Sequence, residues 1–92
     1  MKIVESDEYK TRLREITNFI KKDKKSVAIS FAKDLRKSIK DLNNFPFKFR
    51  KSIYFDDKNI RDMIFKGYTI VYEINVDEDL IIILNIFNKN KR

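Results

Sequence analysis

The side chains able to carry out catalysis are limited in kind, because the sequence contains neither histidine nor cysteine. The lack of histidine removes the usual general base near neutral pH and the commonest metal ligand. The lack of cysteine excludes thiol catalysis, thiolate metal sites and disulfide bonds. A catalytic site in this chain would therefore have to use Lys, Arg, Tyr, Asp or Glu side chains.

Two groups of neighbouring carboxylates, Asp56–Asp57 and Asp77–Asp79, suggest acid–base catalysis or metal binding. Each group lies in a predicted hairpin turn, where aspartate is favoured because its side chain bonds to nearby backbone, and we assign both groups to turns. The sequence has no P-loop, dinucleotide-binding glycine pattern, zinc signature or nucleophile elbow. We therefore expect no metal, no cofactor and no small-molecule substrate.

Positive charge is unevenly distributed along the chain, which has 21 basic and 14 acidic residues and a net charge of +7. Residues 10–25 and 48–66 are rich in Lys and Arg, whereas residues 67–88 contain four acidic residues and no basic one. Such a surplus predicts a polyanionic or acidic partner. The alternative is that the surplus lysines only keep the protein soluble.

Hydrophobic periodicity predicts two helices after a short N-terminal strand at Met1–Glu5. Ser6 is the predicted N-cap of the first helix, and Asp23 or Ser26 that of the second. The short break at Asp23–Lys25 predicts an antiparallel helical hairpin. Apolar residues recur at spacings of three and four; they are Tyr9, Leu13, Ile16, Phe19 and Ile20 in the first helix, and Ala28, Phe31, Leu35, Ile39 and Leu42 in the second.

The rest of the chain predicts an antiparallel meander of three to four strands. The strands are expected at Ser52–Phe55, Ile60–Lys66, Tyr68–Val76 and Leu80–Phe87. The last strand is apolar on both faces and should lie inside the sheet. Helices followed by such strands make an α+β fold, with residues 1–92 as a single domain.

Alternation along Tyr68–Val76 assigns its side chains to two faces of the sheet. Tyr68, Ile70, Tyr72 and Ile74 should face the helices, so that Tyr68 and Tyr72 belong to the core. Thr69, Val71 and Glu73 should lie on the other face. If that face is open, it is a candidate interface, with the C-terminal tail as the alternative cover.

Three segments carry a resemblance to a known family: Phe45–Tyr54, Asn59–Tyr72 and Ile82–Phe87. After a helical hairpin they supply a Pro-containing loop, an Ile-Arg-Asp strand, a Lys-Gly-Tyr-x-Ile-x-Tyr strand and an apolar last strand. Nearly the whole chain thus resembles the RelE/ParE superfamily of bacterial type II toxin–antitoxin systems. The resemblance implies a toxin whose helices pack on a twisted antiparallel sheet, and a cognate antitoxin that wraps and blocks it.

The superfamily contains two activities. RelE-like members are ribosome-dependent mRNA endonucleases, and ParE-like members inhibit DNA gyrase. RNA cleavage needs a base, a proton donor for the leaving oxygen, and cations for the phosphate. Because an ordinary Lys is protonated at neutral pH, no suitable base is apparent here. If the chain is a nuclease, the resemblance implies Arg61, Lys66, Glu73 and Lys89 as its catalytic candidates.

Two departures from the nuclease pattern favour the ParE-like activity. Thr69 stands where those nucleases often carry Arg, and Asn88-Lys89 where many relatives carry His or Arg. We therefore expect a non-enzymatic toxin that binds DNA gyrase and is neutralised by an antitoxin, with the ribosome and mRNA as the alternative target. The predicted residues for target or antitoxin binding are Arg61, Thr69, Val71, Lys89, Lys91 and Arg92.

Structural roles compete with functional ones at several of these positions. Arg61 would be structural if it pairs with Glu73 or Asp62. The aromatic residues of Phe45–Phe47 are predicted to pack, and Lys89–Arg92 would otherwise be a solvated end. Since neither a signal peptide nor a membrane span is apparent, we expect a cytoplasmic protein.

Overall fold

The computed structural model of the protein describes residues 1–88. Its elements are β1 (Lys2–Glu5), α1 (Asp7–Asp23), α2 (Lys25–Asp41), β2 (Ile60–Phe65), β3 (Tyr68–Asn75) and β4 (Leu80–Asn88). The α+β class and the order of a short strand, a helical hairpin and a sheet are confirmed.

The sheet has the strand order β1-β4-β3-β2. Strands β2, β3 and β4 form the predicted antiparallel meander, whereas β1 pairs with β4 in parallel and places β4 inside the sheet. The turn between β2 and β3 consists of Lys66 and Gly67, with φ angles of 48° and 85°. Two successive positive φ angles make the type I′ turn that matches the twist of a hairpin, and glycine adopts its second position without steric strain.

The two helices begin in different ways. The Ser6 hydroxyl accepts a hydrogen bond from the Tyr9 N–H at 3.0 Å and donates one to the Leu84 carbonyl at 2.7 Å, so the predicted cap also ties α1 to β4. The predicted cap of α2 is wrong. Lys24 alone separates the helices; its N–H donates to the Ile20 carbonyl of α1, and its carbonyl accepts from the Ala28 N–H of α2. Lys24 is therefore the N-cap of α2, and its ammonium group cannot accept a hydrogen bond from the first helical turn.

The helices bury one face of the sheet, as the alternation predicted. Phe31 of α2 meets the rings of Phe65 and Tyr68 edge to face, with centroids 5.5 and 5.4 Å apart. Phe19 is an exception, since it was predicted in the apolar stripe but is 71% exposed. The core consists of Tyr9, Phe31, Leu35, Ile39, Leu42, Met63, Ile70, Tyr72, Ile74, Ile81, Ile83 and Ile86.

The other face of the sheet is not open, so the condition under which it was a candidate interface is not met. Thr69 and Val71 expose only 1% and 2% of their surfaces. Tyr54 stacks edge to face on Phe87, the register partner of Thr69, with ring centroids 5.1 Å apart. Residues 50–57, which we call the cover, therefore bury this face. The predicted alternative, the C-terminal tail, lies outside the described residues.

The cover replaces the strand predicted at Ser52–Phe55. It touches the outer edge of β2 through an isolated bridge at Lys51 and a hydrogen bond from the Ser52 N–H to the Ile60 carbonyl at 2.7 Å. The next N–H, that of Ile53, bonds instead to the Asp62 carboxylate at 3.1 Å. A side chain thus takes the place of a strand carbonyl, and the chain turns across the face of the sheet.

Candidate interaction surfaces

Arg61 on β2 holds the loop between α2 and β2 in place. Its Nε donates to the Lys58 carbonyl at 2.8 Å, and its Nη1 to the carbonyls of Phe47 and Phe49 at 3.3 and 3.0 Å. The guanidinium also lies 4.9 Å from the centre of the Phe47 ring, within the range of a cation–π contact. Three hydrogen bonds to backbone carbonyls give this side chain a structural role.

The predicted pairing of Arg61 with Glu73 or Asp62 is wrong. Asp62 lies 3.6 Å from Arg50 of the cover instead. Arg61 is the register partner of Tyr72, so strand alternation places Glu73 on the opposite face of the sheet. Among the described residues, Arg61 neutralises no carboxylate; it satisfies the carbonyls of an irregular loop.

Tyr72 joins the core to the same loop. Its ring is fully buried, and its hydroxyl donates a hydrogen bond of 2.7 Å to the Pro46 carbonyl. Burial raises the pKa of Tyr72 to about 12, and burial also raises the pKa of Tyr9. Both tyrosines are therefore protonated at neutral pH and unsuited to act as a base.

The nuclease candidates are not brought together in the described part of the chain. Lys66 lies in the β2–β3 turn, where its Nζ pairs with the Asp34 carboxylate at 3.1 Å. It is five residues from Arg61, roughly 17 Å along an extended strand. Glu73 faces the other side of the sheet. Lys89, Lys91 and Arg92 lie outside the described residues.

The loop between α2 and β2 presents several apolar side chains to solvent. Phe45 is 70% exposed and Phe47 is 45% exposed, so the prediction that both pack is wrong for Phe45 and only partly right for Phe47. Ile53, Tyr54 and Phe55 of the cover are also exposed. We call residues 45–55 the aromatic loop. Exposed apolar residues concentrated in one segment of a small protein indicate a contact surface.

An open groove of about 370 Å³ runs between α1 and the ends of β3 and β4. The exposed Phe19 ring lies on it, beside Arg12 and Glu15 of the same helix. The exposure of Phe19 could have been predicted from helical geometry, because Phe19 lies about 90° from the centre of the Leu13–Ile16–Ile20 stripe. We call this feature the α1 groove; its lining residues are Arg12, Glu15, Ile16, Phe19, Tyr68, Ile86, Phe87 and Asn88.

Comparison with protein families matches residues 3–91 to the family described as "ParE toxin of type II toxin-antitoxin system, parDE". The chain belongs to this ParE toxin family. Comparison with curated proteins finds no match. A solved structure described as the "Chromosomal ParDE TA system from P. aeruginosa" is similar in fold, with a TM-score of 0.75 and 13% sequence identity over 96% of this chain and 95% of that chain.

In this member of the ParE toxin family, the helical hairpin carries most of the basic side chains. Residues 7–41 contain 11 basic and six acidic residues, and every basic one is exposed. Within residues 1–88, the one ion pair that involves either helix joins Asp34 to Lys66. The helical lysines and arginines are thus left without carboxylate partners in the described chain.

Residues 1–88 contain no helix with both the length and the apolar character needed to cross a membrane. They also contain no group of three or more acidic side chains placed to share a metal ion.

Proposed function

We propose that this protein is a type II toxin that arrests growth by binding DNA gyrase in the cytoplasm, and that a cognate antitoxin neutralises it. The observation that carries the proposal is the match to the ParE toxin family over residues 3–91. The basic character of the chain supports it, since gyrase works on DNA and an antitoxin segment rich in acidic residues would be attracted electrostatically.

The arrangement of the candidate residues supports inhibition by binding over RNA cleavage. Arg61 is engaged with loop carbonyls, Lys66 is paired with Asp34, and Glu73 lies on the opposite face of the sheet from Arg61. A nuclease would need a base and a phosphate-binding cation within hydrogen-bond reach of one scissile bond. These three side chains, all within the described residues, do not converge on one point.

The α1 groove is our proposed contact for the antitoxin. Its lining combines the apolar side chains of Ile16, Ile86 and Phe87 with the exposed cation of Arg12. An amphipathic segment with acidic residues would bury apolar side chains in this groove and pair with the cation. Phe19 would then be covered in the complex.

The predicted binding residues fit this proposal unequally. Thr69 and Val71 are buried beneath the cover, so a partner would reach them only after the cover moves. Arg61 would act by shaping the aromatic loop. Lys89, Lys91 and Arg92 follow directly on β4, whose end lines the α1 groove, and stay in the proposal as contacts for the target or the antitoxin.

Expression of the protein without its antitoxin should arrest growth, and the purified protein should inhibit supercoiling of relaxed plasmid by gyrase or trap cleaved DNA. Supercoiling that proceeds normally, together with mRNA cut at ribosomal A-site codons, would reject the gyrase target in favour of the endonuclease. The candidate antitoxin is the product of a short adjacent reading frame encoding an acidic protein. Coexpression of that frame should restore growth.

Phe19→Ala tests the α1 groove directly. We expect at least about tenfold weaker antitoxin binding, because a central aromatic anchor typically contributes 2 kcal/mol or more. Ile29→Ala is the matched control, since Ile29 is also largely exposed on the hairpin, at 60%, but does not line the groove. Equal binding by both variants in calorimetry would place the antitoxin elsewhere.

A further inference from the structure

The outward side of α1 carries a row of cations separated from the α1 groove. At 100° per residue, Lys10, Arg14 and Lys21 fall within about 40° of one another on one flank of the helix. Phe19 and Glu15 fall on the opposite flank, which faces the ends of β3 and β4. The row therefore lies on the side of α1 that is free of the groove.

A second row lies on α2. Arg36 and Lys40 are one turn apart and both exposed. The positive charge of Arg36 partly opposes the effect of burial on the pKa of Tyr9, so this flank of α2 faces α1. Since the helices form an antiparallel hairpin, the two rows border the same outer surface. We call it the outer helical face: Lys10, Arg14, Lys21, Arg36 and Lys40.

The acidic residues of the hairpin lie mostly elsewhere. Asp34 points to the β2–β3 turn, where it pairs with Lys66, and Asp41 shares its flank of α2. Asp7 is near the row on α1 but occupies the first helical turn, where it complements the helix dipole. Small polar residues border the row on α1 instead; they are Thr11 and Asn18.

We propose that the outer helical face binds the phosphate backbone of duplex DNA without reading base sequence. Lys and Arg with Ser, Thr and Asn form the side-chain set that contacts phosphate oxygens. The cores of protein–protein interfaces are instead depleted in Lys and enriched in aromatic residues, which this chain concentrates in the aromatic loop. The choice of DNA among polyanions rests on the proposed gyrase target: the toxin would contact gyrase and its DNA through different surfaces.

The test is fluorescence anisotropy of a labelled, random-sequence duplex of about 20 base pairs, titrated with the purified full chain at several salt concentrations. The neutralised variant is Lys10→Gln/Arg14→Gln/Lys21→Gln. If each of the three side chains neutralises one phosphate, the slope of log K against log salt falls by about 2.7. Between about 50 and about 200 mM salt, the unaltered protein then loses roughly 40-fold more affinity than the variant.

The matched control is Lys2→Gln/Lys48→Gln/Lys58→Gln, which removes the same charge from exposed positions outside the hairpin. It should keep most of the salt dependence. Equal losses of salt dependence in the two variants would overturn the proposal, because net charge alone would then explain the binding. The proposal would also be overturned if the unaltered protein showed no salt-dependent duplex binding. Tighter binding of a single-stranded RNA of equal length would overturn the assignment to DNA.

This assay contains no gyrase, so its outcome is independent of the supercoiling experiment. In a pull-down without DNA, the neutralised variant should still bind gyrase, whereas it should inhibit supercoiling less than the unaltered protein does at low salt, and this difference should shrink as salt rises. Loss of gyrase binding by the neutralised variant would overturn the separation of the two surfaces. Circular dichroism of the variant checks that the hairpin is folded.

Discussion

On the helix side of the sheet, the buried side chains of β2, β3 and β4 are aliphatic or aromatic, whereas the face beneath the cover also buries Ser52, Asp62 and Thr69. Burial of apolar area is non-directional and grows with the number of methyl and methylene groups covered. Polar groups under the cover are stabilised only where particular hydrogen bonds form. The two faces of one sheet are therefore held by different kinds of interaction.

The polar contacts beneath the cover are incompletely satisfied. The Oδ1 atom of Asp62 and the hydroxyl of Thr69 are buried without a hydrogen-bond partner among the described residues. Asp62 pairs with Val71 in the register and Thr69 lies two residues away on the same face, so both atoms belong to one layer. Each unsatisfied group costs about 1–3 kcal/mol. We therefore expect the cover to open at a lower free energy than the helix side.

Ile70→Ala should cause the largest loss of stability. Ile70 is fully buried between the sheet and the helices, and truncation of such a residue costs about 2–5 kcal/mol through lost burial and a residual cavity. Urea denaturation measures this difference. The same truncation at Ile64, which is 42% exposed at the outer edge of β2, is the control and should cost less than half as much. Equal losses would contradict the assignment of the core to the helix side.

Asp62→Ala should cost about 2–3 kcal/mol and act on the other face. The substitution removes the acceptor for the Ile53 N–H and the partner of Arg50. Hydrogen exchange in residues 50–57 should accelerate more than exchange in α2, whereas Ile70→Ala should shift both together. Asp62→Asn keeps a neutral acceptor for the N–H and should be milder. Uniform acceleration along the chain would show that the cover does not open separately.

The difference between the two faces of the sheet also explains why the sequence predicted the packing of one face and not that of the other. Alternation in Tyr68–Val76 identified the helix side of the sheet, because repeated apolar spacing is typical of burial against a regular partner. The cover has no such period: Asp62 replaces a strand carbonyl, and Tyr54 reaches Phe87 across the sheet. The contact of Arg61 with Phe47 joins positions 14 residues apart through a loop, which single-sequence patterns do not record.

Arg61→Lys tests how the loop is attached to the sheet. Lysine keeps the positive charge but has no planar fork to reach three carbonyls, so we expect a loss of about 1–2 kcal/mol and faster proteolysis within residues 45–58. Lys58→Ala is the control, because the backbone carbonyl of Lys58, not its side chain, accepts from Arg61. If a folded Arg61→Lys variant arrests growth as strongly as the unaltered protein, Arg61 has a structural role only.

Tyr72→Phe should cost about 1 kcal/mol, because the Pro46 carbonyl loses its donor while the ring still fills the core. The pKa of Tyr72 in the folded chain, about 12, lies above its ordinary value of 10.0. The contribution of the Tyr72 hydroxyl to the stability of the fold is complete below pH 10 and decreases as pH rises towards about 12, since the unfolded chain releases the proton first. The variant should lose less stability over this range in urea titrations. Some loss of stability at high pH should persist in the Tyr72→Phe variant, because burial also raises the pKa of Tyr9.

Thr69→Val should have the smallest effect, and its sign is informative. Valine has nearly the shape of threonine but removes a buried hydroxyl that has no partner among the described residues, so stability should be unchanged or rise by up to about 1 kcal/mol. Ser52→Ala is the contrasting change, because the Ser52 hydroxyl accepts from the Tyr54 N–H at 3.1 Å and its removal should destabilise the cover. A marked loss of stability in Thr69→Val would mean that the hydroxyl is satisfied. A variant of unchanged stability that binds gyrase more weakly would instead show that the cover moves aside and that the partner reaches Thr69.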